Sequence, residues 1–251
     1  MPVTTPVVDP KDAVAKKVIV VGGSSGIGRG VARAVLQRGG RVAIVGRSRE
    51  KLDAAVADLG AGSDRLEAHV ADVTQEAEVE RLFEAVGPFG HLVTTVADVT
   101  YQPVRELDVT AVRRTLDSKL LSSLLLAKHA VRRMEEGGSL TLTSGIAAHR
   151  PAARGAVVAA VNGALEALAR ALAIELAPIR VNAVSPGWVD TPIWERVAGA
   201  AKQERLDAMA QRLPVGRVGR PDDIARAVCF LMESGFTTGS VLHVDGGHRL
   251  V

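Results

Sequence analysis

From residue 17 onward the chain alternates short aliphatic runs with longer stretches of helical period, and this alternation leaves few folds open. The runs at 17–21, 41–45, 66–70, 91–96, 139–143, 179–184 and 240–244 are read as strands. Helices are predicted over 26–38, 49–59, 76–86, 109–135, 153–176 and 221–233. A uniformly aliphatic strand is buried on both faces, and a parallel neighbour is reached only through a long crossover, usually a helix. Repeated βαβ units therefore predict an α/β fold: a single doubly wound domain with a seven-stranded, mainly parallel sheet and helices on both faces. The first 16 residues, with Pro2, Pro6 and Pro10, read as a flexible arm before a domain spanning 17–251. The stretch 188–213 breaks the rhythm. In such sheets ligands bind at the carboxyl ends of the strands, so 188–213 is expected to form a lid on the substrate side.

Between the first strand and the first helix lies Val21-Gly22-Gly23-Ser24-Ser25-Gly26-Ile27-Gly28. Gly22 suits a tight turn, Gly26 a close approach of backbone to a pyrophosphate, and Gly28 close packing of helix on strand. The helix start then offers free N–H groups and a positive dipole to phosphates. Ser24, Ser25 and Ile27 complete this phosphate-binding segment of a Rossmann-type nucleotide site. The second strand runs into Gly46-Arg47-Ser48, with no carboxylate where a dinucleotide site for NAD would hold the ribose 2′-hydroxyl. Arg47 and Ser48 instead suit the 2′-phosphate of NADP(H), the alternative being an exposed loop arginine.

Hydrophobic residues make up 47% of the chain and aromatic residues only 3%, so the core is expected to be Ala, Val, Leu and Ile. A net charge of +3, without a long Lys/Arg run, excludes a nucleic-acid footprint. No apolar run was expected to reach the length of a membrane span, and the first 16 residues lack a signal-peptide core, so the default location is cytoplasmic. The lone Cys229, in an apolar helical stretch, reads as a buried structural thiol, and the six His show no metal-ligand spacing. The segment 156–173 is apolar nearly all round. A helix of that kind is covered on two sides, one by the sheet and the other by a second subunit, which points to a dimer or tetramer.

The glycine segment resembles that of the short-chain dehydrogenase/reductase family, whose usual pattern is Gly-x-x-x-Gly-x-Gly, and the resemblance extends over about residues 17–248. Ala71-Asp72-Val73 is similar to the family's acidic turn at the adenine. Ile179-Arg180-Val181-Asn182-Ala183-Val184-Ser185-Pro186-Gly187 is similar to its sixth-strand signature, and Val244-Asp245-Gly246-Gly247 to its C-terminal one. Val189-Asp190-Thr191-Pro192 resembles the segment whose Thr contacts the nicotinamide half. The resemblance thus implies Asp72, Val73, Val96, Ala97, Pro186, Gly187, Val189 and Thr191 as further cofactor contacts.

The catalytic positions depart from the family. Its Tyr-x-x-x-Lys pair falls on Val158 and Asn162, and the only tyrosine in the chain is Tyr101. The family Asn falls on Lys119, its Ser on Ser144 or, without a gap, on Gly145, and its Asn-Asn-Ala-Gly motif on Thr94-Thr95-Val96-Ala97. Carbonyl reduction needs a proton for the developing alkoxide, which the family draws from Tyr. Val158 has none. The Asn and Lys positions have, however, exchanged residues, so Lys119 with Asn162 and Ser144 forms the candidate catalytic set; the alternative is a helix lysine reaching solvent. Tyr101 lies in a loop near the site. His149 and Arg150 follow the fifth strand, to meet an anionic substrate or to form a solvent-facing turn, and His243 and His248 read as packing residues. Three functions compete: an NADP(H)-dependent oxidoreductase on a small molecule with a non-standard proton donor, a catalytically silent NADP(H)-binding sensor or scaffold, and a non-redox enzyme on the same fold.

Overall fold

The computed structural model describes residues 16–60, 62 and 64–251. The arm expected at the N-terminus lies outside the described residues, apart from Lys16. Seven strands form one sheet: β1 (Lys17–Val21), β2 (Arg41–Gly46), β3 (Leu66–Val70), β4 (Phe89–Thr94), β5 (Met134–Thr143), β6 (Arg180–Pro186) and β7 (Val241–Val244). Their order is β3-β2-β1-β4-β5-β6-β7, and every pairing is parallel. The chain begins at the middle of the sheet, runs out to one edge, then returns to build the other half. The reversal between β1 and β4 leaves a crevice at the strands' carboxyl ends.

Alternation along β1 shows why the sheet needs two helical layers. Ile19 and Val21 enter one apolar cluster, Val18 and Val20 the other. On the first face pack α3 (Glu76–Val86), α5 (Ser122–Ala130) and α6 (Ala156–Glu175), through Phe83, Leu126 and Leu165. On the second pack α1 (Gly26–Gln37), α2 (Arg49–Leu59) and α9 (Pro221–Glu233), through Val31, Leu52 and Val228. The remaining helices are α4 (Val109–Leu116), α7 (Ile193–Ala198) and α8 (Lys202–Arg212).

Three expectations need correcting. The helix predicted over 109–135 is not continuous: α4 and α5 are joined by a π-helical turn, Asp117–Leu121, and the chain has entered β5 by Met134. Ser118, Ser122 and Ser123 donate to carbonyls three or four residues back, which competes with the regular ladder. β4 ends at Thr94 rather than 96: the Thr95 N–H gives the last ladder bond to the Val21 carbonyl, and β1 offers no partner beyond it. Third, α6 is long and apolar enough by mean hydropathy (1.6) to cross a membrane. Its inner face, with Val161, Leu165, Ala169 and Leu172, is part of the core, while Ala160, Ala167, Ala171 and Ile174 are exposed.

Candidate functional site

The crevice at the carboxyl ends of β1, β2, β4, β5 and β6 holds a cavity of about 820 Å³. Every residue predicted to touch the nucleotide lines it except Gly28. The turn after β1 is closed by backbone alone: the Gly22 N–H donates to the Val45 carbonyl at 2.8 Å, and Gly22 takes φ +84°. Gly28 sits behind the turn, where a Cβ would stand 2.3 Å from the Gly22 carbonyl oxygen. Its role is close packing, so that α1 can point its first turn into the cavity. Ser25, the N-cap of α1, makes no side-chain bond to the helix, so the first N–H groups stay available. This cradle fits a diphosphate.

At the other end of the nucleotide crevice, the exposed Arg47 guanidinium has no side-chain partner among the described residues. Ser48 caps α2, its Oγ accepting from the Lys51 N–H at 3.3 Å. Lys51 lines the cavity as well, and the sequence reading missed it; a second basic residue one turn beyond Arg47 was the available signal. Asp72 spends one oxygen on Thr74, accepting from its N–H at 3.0 Å and its hydroxyl at 2.7 Å, which fixes the turn beside buried Val73.

Deeper in the cavity the π turn delivers Lys119, only 5% exposed. Its Nζ donates to Asn162 Oδ1 on α6 at 2.8 Å and to the Ser144 carbonyl at 3.4 Å. No carboxylate pairs with it among the described residues, and burial pulls its pKa down to about 8. Lys119 and Asn162, read from the sequence as an exchanged pair, are thus hydrogen-bonded to each other. Ser144, the third member of the candidate set, turns its hydroxyl to another side chain. Its Oγ donates to Glu166 Oε1 at 2.8 Å, and the same carboxylate holds His149 Nε2 at 2.9 Å. A Cβ on the next residue, Gly145, would stand 2.9 Å from Asn162 Nδ2. Position 145 therefore faces the Lys119–Asn162 pair, and buried Val158 lines the same cavity.

A second cavity of about 610 Å³ adjoins the first and shares Tyr101, Ile146, Ala147, Trp188 and Trp194 with it. Segment 188–213 supplies one wall through Trp188, α7 and α8. The Trp188 and Trp194 rings lie 4.2 Å apart, and Trp194 Nε1 donates to the Val189 carbonyl at 2.9 Å. Tyr101 stays protonated, its pKa raised by burial. Arg150 lines the cavity while His149 turns to Glu166 and packs edge-on against His243, 4.6 Å between centroids. Trp188, Arg212 and His248 also line it and were missed as site residues; the chain's only two tryptophans, both near 188–194, were the signal.

Elsewhere, Cys229 is buried and its pKa is pushed up to about 11 by desolvation, as suits a structural thiol. Glu76, Glu80 and His129 converge at the surface, a group of two carboxylates and one His that the His and Cys spacing does not address. The Lys128 ammonium already pairs with Glu76 there.

A family profile described as enoyl-(acyl carrier protein) reductase matches residues 21–249. Cis-4-hydroxycyclohexanecarboxylate dehydrogenase of Sinomonas cyclohexanicum is 37% identical over 252 residues, covering 96% of this chain and 99% of the relative. The reductase/Diels-Alderase MalC of Malbranchea aurantiaca superposes with a TM-score of 0.89 at 31% identity, over 96% of this chain and 100% of that one. A small-chain dehydrogenase in complex with NADPH superposes with a TM-score of 0.79 at 33% identity, covering 94% and 99%. With these likenesses running nearly end to end over a parallel sheet and a glycine-built nucleotide crevice, the chain belongs to the short-chain dehydrogenase/reductase family.

Proposed function

We propose that this chain is an NADP(H)-dependent oxidoreductase acting on a carbonyl, alcohol or related small molecule, with Lys119 in the part the family gives to Tyr. The observation that carries the reading is the buried Lys119 amine, held by Asn162 and free of any carboxylate at the cavity wall. Unpaired Arg47, with Lys51 and the start of α2 beside it, supports the preference for a 2′-phosphate.

When bound, NADPH supplies the hydride. Lys119 Nζ holds the proton that the developing alkoxide takes up, and Asn162 Oδ1 orients the amine by accepting one of its hydrogens. The neutral amine left behind is reprotonated from solvent. Ser144, bonded to Glu166, acts on the site through the backbone carbonyl it presents to Lys119.

The pH dependence has a definite sign. Reduction needs the charged amine, so turnover falls as pH rises through about 8, and the reverse oxidation gains over the same range. Stability moves the other way. The folded pKa lies below the ordinary 10.5, so the unfolded chain binds more protons between about 8 and 10.5, and stability from this group rises with pH there. A fall in activity without a fall in melting temperature is the expected signature.

The test is NADPH oxidation across aldehydes, ketones, quinones and imines, followed by Lys119→Met on any substrate found. A loss of roughly 10²–10⁴-fold, with NADPH affinity retained, is expected. Unchanged turnover in Lys119→Met would end the catalytic assignment, whereas Ser144→Ala, which keeps the carbonyl facing Lys119, should cost much less. The second reading, a catalytically silent NADP(H)-binding protein, is favoured by Val158 and by the Ser144 hydroxyl facing Glu166. NADPH binding with no turnover across the panel would establish it. The exposed small-residue face of α6, with Ile174 at its end, and exposed Leu121 and Leu124 support self-association. Sedimentation is expected to show a dimer or tetramer that Ala167→Glu dissociates; a monomer at all concentrations refutes it.

A further inference from the structure

Most arginines of this chain that stand near a carboxylate are paired with one: Arg33 with Asp58, Arg217 with Asp223, Arg249 with Asp245. The second cavity is different. Arg150 reaches it from the loop after β5, and Arg205 and Arg212 reach it from α8, seven residues apart and so on one face of the helix. None of the three has a side-chain hydrogen bond or ion pair among the described residues. Arg154, also in the wall, makes only a 3.4 Å bond to the Tyr101 carbonyl. No Asp or Glu lines the cavity among the described residues.

A concentration of like charge around one concave surface is unfavourable unless water or an anion compensates it. The same cavity is also lined by the apolar and aromatic side chains of Trp188, Trp194 and Met209. A fourth group points to a ligand independently of the arginines. His248 lines the cavity, is only 6% exposed, and its buried Nδ1 has no hydrogen-bond partner. Burial, then the Arg212 and Arg150 charges, lower its pKa, so it stays neutral and leaves the positive charge to the arginines. Planar guanidinium forks match carboxylate and phosphate oxygens, while indole faces accept a flat or apolar body.

Resting on the oxidoreductase reading of the adjoining crevice, we infer that this cavity takes the substrate by an anionic group, a carboxylate or a phosphate, carried on an apolar body that lies over Trp188 and Trp194. The arginines would anchor the anionic end away from Lys119, and the shared wall of Tyr101, Ile146 and Ala147 would lead the reacting carbon toward the nucleotide crevice.

Both tryptophans of the chain line this cavity and the adjoining crevice, so with the crevice filled by NADP+ their emission reports the cavity's occupancy. The apo protein and the NADP+-saturated protein are titrated with 4-phenylbutyrate, phenyl phosphate and the neutral 4-phenylbutanamide. Saturable changes in emission with at least one anion, roughly tenfold tighter than with the amide, are expected. The tighter of the two anions tells carboxylate from phosphate. Arg150→Gln/Arg205→Gln/Arg212→Gln should lose that preference, the matching Lys triple variant should keep part of it, and NADP+ affinity by calorimetry should be unchanged in both. The inference is overturned if neither anion saturates, if the amide binds equally well, or if the Gln triple variant keeps the preference. Failure of the cofactor reading is seen separately, as absence of NADP+ binding in the calorimeter, and leaves the apo titration to decide the anion site.

Discussion

The two ends of the nucleotide crevice are built on different principles. The phosphate end is backbone: a Gly22 turn closed on Val45, a helix start without a cap, and Gly28 wedged where no Cβ fits. The inner end, proposed above as the reacting end, is side chain: Lys119 on Asn162, Ser144 on Glu166, Glu166 on His149. A backbone site is specified by what is missing and tolerates almost no substitution. A side-chain network is specified by mutual satisfaction, so partners can change places while every buried group stays bonded.

That contrast is breakable. Asn162→Lys alone puts a second amine beside buried Lys119 and removes the Oδ1 that holds it, and a loss of about 3 kcal/mol in denaturant unfolding is expected. Adding Lys119→Asn restores the pairing in reverse and should bring stability back to within about 1 kcal/mol. If the exchanged pair is as unstable as the single variant, the reacting end is as rigid as the phosphate end and the comparison fails. Gly28→Ala tests the other side. A methyl 2.3 Å from the Gly22 carbonyl has to push the turn or the helix aside, costing about 1–3 kcal/mol and most of the NADPH affinity. No second-site substitution nearby should rescue it. Arg47→Gln sharpens the comparison with the smallest effect: NADPH affinity falls roughly five- to tenfold in equilibrium titration while NADH affinity stays put, since the residue is exposed and screened.

The same contrast explains what could be read before the fold was known. The glycine spacing and the strand–helix alternation announce the crevice because backbone geometry permits so few residues there, and all predicted nucleotide contacts but Gly28 line one cavity. The reading of Lys119 and Asn162 as an exchanged pair rests on two positions of the sequence, and the structure adds that the two side chains are bonded at 2.8 Å. The direction of Ser144 was not visible, because it depends on Glu166, a residue that on its own reads as a helix-surface charge. The second cavity was harder still. Arg150, the α8 pair Arg205 and Arg212, and His248 come from three places in the chain, with no spacing to link the three, and only the fold brings them around one space. Likewise the interruption of the predicted 109–135 helix rests on serine hydroxyls choosing carbonyls within the helix.

The π turn at Asp117–Leu121 amounts to a single surplus residue tucked into a helical path. Each residue of a regular helix advances about 100° around the axis, following from 3.6 residues per turn. Excising one residue between α4 and α5 would therefore swing Lys119 about a quarter-turn sideways while leaving both flanking helices intact. An insertion or deletion here is a phase dial: it sets which side chain meets the crevice without touching the sheet.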